Sequence, residues 1–386
     1  MEFQFTEQQQ AIREAVREVC KNYGDPYWRE LDKSNGYPEE FVQELTRLGW
    51  LGMLIPEEYG GGGMGILEAS IVLEEINRAG GNATACHAQM YTMGTVLRYG
   101  NDEQKQRYLP GIASGKLRLQ AFGVTEPNAG SDTTRLETMA VKKGDRYVVN
   151  GQKVFISRVL QSDLMLLLAR TTPFDQVENK TQGLSTFLVD LKAAGDHIRV
   201  QPLDIMFNHH TNAVFFDDCE VPEENLIGKE GNGFRQIIDS WNPERILIAA
   251  EGIGDGRYFV DKAVAYSSQR VVFDRPLGAN QGVQFPLAQS YARIEAADLM
   301  RYKAAVKFDR GESCGAESNM AKLLASEAAW EAANAALTTH GGYGFAAEYD
   351  IERKFRETRL LTIAPVSNNL VLSYLGQHVL GMPRSY

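Results

Sequence analysis

Apolar residues recur at helical spacing through the first 118 residues of the chain. Thr6 and Gln9 have the spacing of a capping box, and the apolar positions after them share one helical face: Ala11, Ile12, Ala15, Val16 and Val19. The same spacing predicts a second helix over about 38–49, which would stop at Gly49, and a third over about 66–76. We therefore expect an N-terminal helical region.

The pattern changes near Leu119 to short runs of β-favouring residues, which continue to about Gly228. The run 147–156 contains Asn150-Gly151 between two β-rich halves, and this pair predicts a hairpin turn. Further strands are predicted over 184–190 and 213–216.

Helical spacing returns from Gly231 to the end of the chain. It includes an alanine-rich stretch over 321–336 and a last predicted helix over about 369–380. The order is therefore helical, β and helical again. Because β-α-β units do not alternate along the chain, the pattern argues against a doubly wound parallel sheet.

Composition and charge narrow the classes of protein. The 386 residues have 44% apolar and 23% charged residues and a net charge of −10, which is typical of a soluble protein of two or three domains. An acidic chain is a poor candidate for binding nucleic acid, although a local basic pocket for an anionic small molecule stays possible. We expect neither a membrane span nor a secretory signal, and hence a cytoplasmic protein with reduced cysteines.

Glycines and histidines offer few binding signals. Residues 60–65 formally contain GxGxxG, but Pro56-Glu57-Glu58-Tyr59 precedes them in place of a strand, so we interpret the segment as a turn between helices. Gly252, Gly254 and Gly256 lie in a helical pattern and predict close helix packing. The six histidines include no pair with the spacing of a helical metal site, so we predict no metal.

Two polar segments are candidates for cofactor binding. The segment 122–132 leaves a predicted strand and enters a loop of turn-forming residues, which can offer backbone N–H groups to phosphates. About 20 residues later, Phe155 and Ser157 are expected on one face of a strand, where a ring and a hydroxyl suit a flavin. Each segment alone is also compatible with an ordinary turn or hairpin.

Together these segments belong to a longer series of motifs. VTEPNAGSD (124–132), NGQKVFIS (150–157), VPEENLIGKEGNGF (221–234), RVVFDRPLG (270–278) and HGGYGF (340–345) follow in order. The chain closely resembles the acyl-CoA dehydrogenase family of flavoproteins over essentially its whole length. The resemblance implies an α+β multidomain fold. Its parts would be an N-terminal helical domain (1–118), a middle β-barrel-like domain (119–228) and a C-terminal four-helix bundle (229–386).

The resemblance also implies FAD, an acyl-CoA substrate, electron-transferring flavoprotein as acceptor and a homotetramer. The positions that match the family's cofactor contacts are Phe122, Val124, Thr125, Ser131, Phe155, Ser157, Arg270, Phe273, Gln281, Thr338, Gly341, Gly342 and Ser367. Phe155 stands where many members have Trp, and Thr338 where Gln is common. Arg270, Phe273 and Gln281 would hold the adenine half of FAD across a subunit interface.

The family's chemistry implies a catalytic carboxylate. It removes the α-proton of the thioester while a hydride leaves the β-carbon for flavin N5. Most members carry this Glu near the C-terminus, where our alignment places Pro365, and no Asp or Glu follows Glu357. A minority carry it in the first helix of the last domain, before an Arg, and this implies Glu244 as base. Asn242, Arg245 and Ser131 would contact the substrate.

Pro365 raises a separate question about the thioester oxygen. The family binds this oxygen through the backbone N–H at that position, and proline has none. A neighbour such as Val366 could supply the N–H, the alignment could slip by one residue, or the chemistry could differ. A flavin oxygenase or oxidase on the same fold, and a silent acyl-CoA-binding protein, are the alternatives to a dehydrogenase.

Overall fold

The computed structural model describes residues 5–384, and helices dominate both ends of this range. Before the sheet lie α1 (Glu7–Cys20), α2 (Asp25–Ser34), α3 (Glu39–Arg47), α4 (Ile66–Arg78), α5 (Thr84–Tyr99) and α6 (Asp102–Ala113). The middle of the chain contains β1 (Leu119–Gly123), β2 (Met139–Lys143), β3 (Arg146–Ser157), β4 (Leu164–Arg170), β5 (Leu184–Asp190), the short α7 (Leu191–Ala194), β6 (Ile198–Pro202), β7 (Thr211–Pro222) and β8 (Leu226–Ile227).

The rest of the chain is helical except for one small hairpin. It contains α8 (Gly233–Gln269), β9 (Val271–Val272), β10 (Arg275–Pro276), α9 (Gln281–Asp309), α10 (Gly315–His340), α11 (Ile351–Arg359) and α12 (Asn368–Tyr374), which a π turn (Leu375–Val379) extends. The predicted order of a helical, a β and a second helical region is confirmed. The predicted capping box is confirmed as well, since Thr6 Oγ1 accepts from Gln9 N–H at 3.2 Å.

Contacts divide the chain into two compact units, each built from segments that are distant in sequence. The first unit contains 1–36, 65–83 and 242–386, and the second contains 37–64 and 84–241. Helix α8 therefore begins in the second unit and continues in the first.

Helices of the first unit pack closely where α8 carries glycine. A Cβ on Gly254 would lie 2.3 Å from the Glu74 carbonyl oxygen on α4, and one on Gly252 would lie 3.2 Å from the Ala325 carbonyl oxygen on α10. Gly256 similarly approaches Ile294 of α9. The prediction that these glycines permit close helix packing is confirmed, because a Cβ at Gly254 would overlap the backbone of α4 and a Cβ at Gly252 or Gly256 would crowd its neighbours.

Buried ion pairs also hold the first unit together. Glu74 of α4 is fully buried and accepts from Arg257 of α8 and from Arg301 of α9, the latter at 2.9 Å. Asp309 at the end of α9 accepts the N–H groups of Ile66 and Leu67 at 2.7 and 3.1 Å, which caps the N-terminus of α4. Such groups must be paired when they are removed from water.

The second unit is built around an eight-stranded, mostly antiparallel sheet. Its strand order is β6-β7-β3-β2-β4-β5-β8, and β1 pairs with β4 in parallel. Its core includes Ala121, Tyr147, Val149, Leu167, Phe187 and Val214. The expectation that no doubly wound sheet forms is confirmed.

The predicted hairpin at Asn150-Gly151 is wrong. This pair lies inside the single strand β3, and the chain instead turns at Gly144-Asp145 between β2 and β3. Gly151 has a φ of 147°, and a Cβ there would lie 2.6 Å from Thr138 Oγ1. The register with β7 shifts at this point, so the glycine serves a bulge and a close approach instead of a turn.

Among the described residues, no helix is both long enough and apolar enough to cross a membrane. The same range contains no group of three His, Cys, Asp or Glu residues placed to hold a metal ion. The four cysteines are buried and form no disulfide. Burial raises the pKa of the Cys20 thiol to about 12 and that of Cys219 to about 11, so neither is a reactive thiolate.

Candidate active site

In the second unit, a buried ion pair fixes the loop that carries the first candidate cofactor residues. The Lys153 ammonium on β3 donates to Glu126 Oε1 at 2.8 Å and to the Val124 carbonyl at 3.0 Å. The same Glu126 carboxylate accepts the N–H groups of Glu137 and Thr138 at 2.6 and 2.9 Å. One carboxylate and one ammonium thus set the conformation of the loop after β1.

The electrostatics of this pair agree with its burial. Burial lowers the pKa of Lys153 to about 8, against the opposing effect of Glu126. Burial raises the pKa of Glu126, but Lys153 and the backbone donors outweigh it, and the net pKa lies below the usual value. The pair is therefore ionised at neutral pH. A lysine at a fully buried strand position is a signal that the sequence interpretation missed.

The ion pair places the two candidate segments of the second unit side by side. Val154 N–H donates to the Thr125 carbonyl at 2.9 Å, so the loop residues Val124 and Thr125 lie against β3 just before Phe155. Phe122, Val124 and Thr125 are partly exposed, and Ser131 is exposed. These positions were predicted from distant motifs, and the structure brings the two motifs together.

Phe155 has an unusual conformation on this strand. Its φ is 58°, its side chain is 64% exposed, and the register with β7 shifts between Lys153 and Ile156. The alternation of side chains along β3 therefore does not determine which face of the sheet the Phe155 side chain is on, because the bulge inserts an extra residue at this point. An exposed aromatic ring beside the partly exposed hydroxyl residue Ser157 is an arrangement that a planar ring system can stack on.

In the first unit, the candidate base lies on α8. Glu244 and Arg245 are 5% and 8% exposed, and Arg245 Nη1 lies 3.5 Å from the Asn242 side-chain oxygen. Burial lowers the pKa of Arg245, whereas Glu244, Tyr374 and Cys314 raise it. The three residues predicted around the thioester from α8 are thus neighbours on one stretch of helix.

A proline directly precedes the candidate base. Pro243 has no N–H for the carbonyl four residues earlier, which is that of Asp239. That carbonyl instead accepts from Arg98 Nη1 at 2.7 Å. Helix α8 is continuous through Pro243 and Glu244.

The C-terminal segment has its own hydrogen-bond network in the first unit. Asn368 Oδ1 accepts from the buried Lys322 ammonium at 2.7 Å, and Ser367 Oγ caps α12 by accepting from Leu370 N–H at 3.4 Å. Burial and, to a smaller extent, nearby Arg245 lower the pKa of Lys322 to about 7. Ser367 is a partly buried helix cap two residues after Pro365.

The remaining candidate cofactor residues lie on exposed parts of the first unit. Phe273 is 94% exposed at the turn of the β9–β10 hairpin, and Arg270, Gln281 and Thr338 are exposed as well. The Arg270 guanidinium lies 5.8 Å from the Tyr343 ring centre, which joins two of the predicted motifs. Gly341 and Gly342 have no atoms within 4 Å of a hypothetical Cβ, so a ligand can approach their backbone.

Family models match the chain in three consecutive stretches. They describe the acyl-CoA dehydrogenase N-terminal domain over 6–116, the middle domain over 121–219 and the C-terminal domain over 231–380. The chain belongs to the acyl-CoA dehydrogenase family and is an oxidoreductase of that class.

Individual relatives cover the chain from end to end. Acyl-CoA dehydrogenase FadE12 of Mycobacterium tuberculosis is 38% identical over 386 residues, covering 99% of this chain and 98% of its own. Glutaryl-CoA dehydrogenase of Desulfococcus multivorans is 35% identical over 394 residues, with both chains fully covered. The structure of butyryl-CoA dehydrogenase from Megasphaera elsdenii superposes with a TM-score of 0.92 at 30% identity, over 98% of this chain and 100% of that one.

Proposed function

We propose that this protein dehydrogenates an acyl-CoA thioester to the 2-enoyl-CoA, with Glu244 as the base that removes the α-proton. The observation that carries the proposal is the burial of Glu244 beside Arg245 on α8, in a chain without any Asp or Glu after Glu357. The position near the C-terminus that most family members use is therefore not available, and Glu244 matches the position that the others use.

Burial suits Glu244 to this task. At 5% exposure its carboxylate is shielded from water, which would otherwise exchange protons with the activated α-carbon. Arg245, the next residue, keeps a positive charge beside it, because a guanidinium stays protonated even when burial lowers its pKa. We assign to Arg245 the role of positioning the carboxylate, and to Asn242 a contact with the substrate.

The residues present fit FAD. The exposed Phe155 ring with Ser157 beside it, and the loop that Glu126 and Lys153 hold against β3, offer a stacking surface and polar groups. Gly341 and Gly342 offer open backbone. When bound, FAD supplies the two-electron acceptor for the hydride of the β-carbon. On this basis we assign FAD contacts to the thirteen positions that match the family's cofactor contacts. Ser131 is assigned a contact with the substrate as well.

Family membership supports electron-transferring flavoprotein as the physiological acceptor and a cytoplasmic homotetramer as the working form. Large apolar side chains exposed on the first unit support association of copies of the chain, since isolated subunits seldom expose so many: Phe273, Phe285, Leu299, Leu380 and Met382. We assign the domain boundaries to 1–118, 119–228 and 229–386.

The test of the base is the Glu244→Gln variant of the FAD-loaded enzyme, mixed anaerobically with saturated acyl-CoAs. We expect the rate of flavin bleaching to fall by about 10²- to 10⁴-fold, because glutamine keeps the shape but cannot accept the proton. Glu251→Gln makes the same change two turns further along α8 and should bleach near the wild-type rate.

A wild-type bleaching rate in Glu244→Gln would remove this residue from the mechanism. The oxidase alternative has a separate readout, because the reduced enzyme would then consume oxygen rapidly in air. A silent binding protein would bind acyl-CoA without any bleaching.

A further inference from the structure

A fully buried lysine on α10 lies near the arginine that follows the candidate base. The Lys322 ammonium donates to Asn368 Oδ1 at 2.7 Å, and Arg245 acts to lower its pKa while Glu327 acts in the opposite direction. Among the described residues, no carboxylate contacts this ammonium. A cation buried against a neutral amide costs stability, whereas a methionine of similar length would fill the space without that cost. The position of Lys322 therefore indicates a role beyond stabilising the fold.

This lysine holds the start of α12 against α10. Asn368 is the first residue of α12, and its side-chain amide also contacts the buried Ser326 hydroxyl at 3.1 and 3.2 Å. Lys322 and Ser326 lie one turn apart on α10, so two side chains of one helix bind the same amide. At the other end of α12, Tyr374 acts to raise the pKa of Arg245, so α12 also approaches α8. The turn before α12 is thus fixed close to the candidate base.

That turn contains a backbone donor to which the described part of the chain offers no acceptor. The N–H groups of Ile363 and Ala364 both donate to the Leu360 carbonyl, at 2.8 and 2.9 Å, and Pro365 has no N–H. The next N–H, that of the partly buried Val366, donates to no acceptor among the described residues. Most backbone N–H groups that are removed from water have a partner, so this N–H is suited to a ligand.

We propose that the Val366 N–H binds the thioester oxygen of the substrate, and that Lys322 is a positioning residue that holds this donor in place through Asn368. The inference rests on the proposed function. Removal of the α-proton by Glu244 moves negative charge onto the thioester oxygen, and a donor that is fixed in advance stabilises this charge. The donor is then the residue directly after the proline, and the buried positive charge of Lys322 favours the same negative charge.

The direct test replaces Val366 by its α-hydroxy acid, which keeps the side chain and turns the N–H into an ester oxygen. The probe is a 3-ketoacyl-CoA, because its α-carbon ionises to an enolate that absorbs in the ultraviolet and its β-carbon has no hydride to lose. On the FAD-loaded enzyme we expect the ionisation constant to fall by about 10²- to 10³-fold, the usual effect of one lost oxyanion donor. The control is the same replacement at Val371, whose N–H donates to the Ser367 carbonyl at 3.1 Å. It should cost stability but leave the ionisation near the wild-type value, and equal losses in both variants would overturn the proposal.

The positioning role is tested by variants of the two side chains. Asn368→Leu removes the acceptor of Lys322 and should lower both enolate formation and kcat by about 10- to 10²-fold with little change in KM, because the donor is then misplaced. Lys322→Met should behave in the same way, and Asn368→Asp, which keeps the acceptor oxygen, should retain most of the wild-type value. Thr358→Val removes a buried hydrogen bond to Asp255 elsewhere in the unit and should lower stability alone. Wild-type enolate formation in both Asn368→Leu and Lys322→Met would refute the role of Lys322.

Enolate formation and flavin bleaching separate this inference from the proposed function. If the ester at Val366 impairs the enolate but Glu244→Gln bleaches the flavin at the wild-type rate, the oxygen site stands and Glu244 is not the base. If Glu244→Gln loses bleaching but the ester at Val366 ionises the probe as the wild type does, the base stands and the oxygen site is wrong.

Discussion

At the scale of single residues, Phe155 combines a costly backbone conformation with an exposed ring. A left-handed φ of 58° at a residue other than glycine costs about 1–2 kcal/mol, and a side chain that is 64% exposed recovers little of it by burial. Residues held in this way concentrate at functional sites. This conformational cost is consistent with a ring that contacts a ligand instead of packing in the core.

This predicts opposite effects of substitution on stability and on cofactor binding. Phe155→Gly should leave the thermal stability of the apoprotein unchanged or slightly raised, because glycine adopts this conformation without strain. The same variant should release FAD more readily, with an affinity lower by about 1–3 kcal/mol, the scale of aromatic stacking. Phe155→Trp should retain FAD. Melting of the apoprotein and fluorescence titration with FAD measure the two effects, and an unchanged FAD affinity in Phe155→Gly would contradict the assignment.

Gly151 shows where local sequence signals stop being sufficient. Both Asn150-Gly151 and Gly144-Asp145 are acceptable turn pairs between β-favouring residues. The choice between them depends on β7, which pairs with β3 on both sides of Gly151 from more than 50 residues away. No local pattern contains that partner, so the β character of this run could be predicted but the place of the turn could not.

At the scale of elements, the ion pair between Glu126 and Lys153 joins the loop after β1 to β3. Lys153→Met should cost about 3–5 kcal/mol of stability and weaken FAD retention, because it leaves a buried carboxylate without its cation. Lys142→Met on the neighbouring strand removes a half-exposed partner of Glu223 and should cost less than about 1 kcal/mol. Denaturant unfolding and the flavin content after gel filtration measure both variants. Equal stability losses would show that the buried pair has no special role.

The candidate site was predictable where one motif supplied the residues and not where packing assembled them. Phe155, Ser157 and Glu244 follow from contiguous motifs that resemble one family. The contacts of the buried Arg158 do not, because Thr84 and His87 lie on α5, Arg158 follows β3 and His209 precedes β7, so their meeting depends on how α5 packs beside the sheet. Lys153 lies in one of these motifs, but neither its burial nor its pairing with Glu126 was predicted.

At the scale of the whole molecule, a buried carboxyl group makes stability depend on pH. Asp255 on α8 accepts from Lys354 and Thr358, and burial raises its pKa to about 6 against their opposing effects. The usual value is 3.8, so the folded chain binds this proton more tightly than the unfolded chain does. The resulting stabilisation is complete below about pH 4 and is lost as the pH rises through about 6.

The corresponding variant is Asp255→Asn. Between about pH 4 and pH 6 the wild type should lose up to about 3 kcal/mol of stability from this group, and the variant should lack that part of the slope. Asp261→Asn, which removes an exposed partner of Arg78, should keep the wild-type slope. Denaturant melts across this pH range measure the difference, and parallel slopes in Asp255→Asn and wild type would refute the assignment.

The discontinuous first unit has a consequence for how the protein is made. Its segments 1–36 and 65–83 leave the ribosome long before 242–386. Glu74 is therefore synthesised well before its ion-pair partners Arg257 and Arg301. At ordinary synthesis rates the interval is roughly 10–30 s, during which α4, most of whose residues are buried in the folded chain, has only its N-terminal neighbours. Arg13 of α1 reaches Glu74 and Glu75 within that early part of the chain and can neutralise them meanwhile. Newly made chains should therefore depend on chaperones until the last helices emerge.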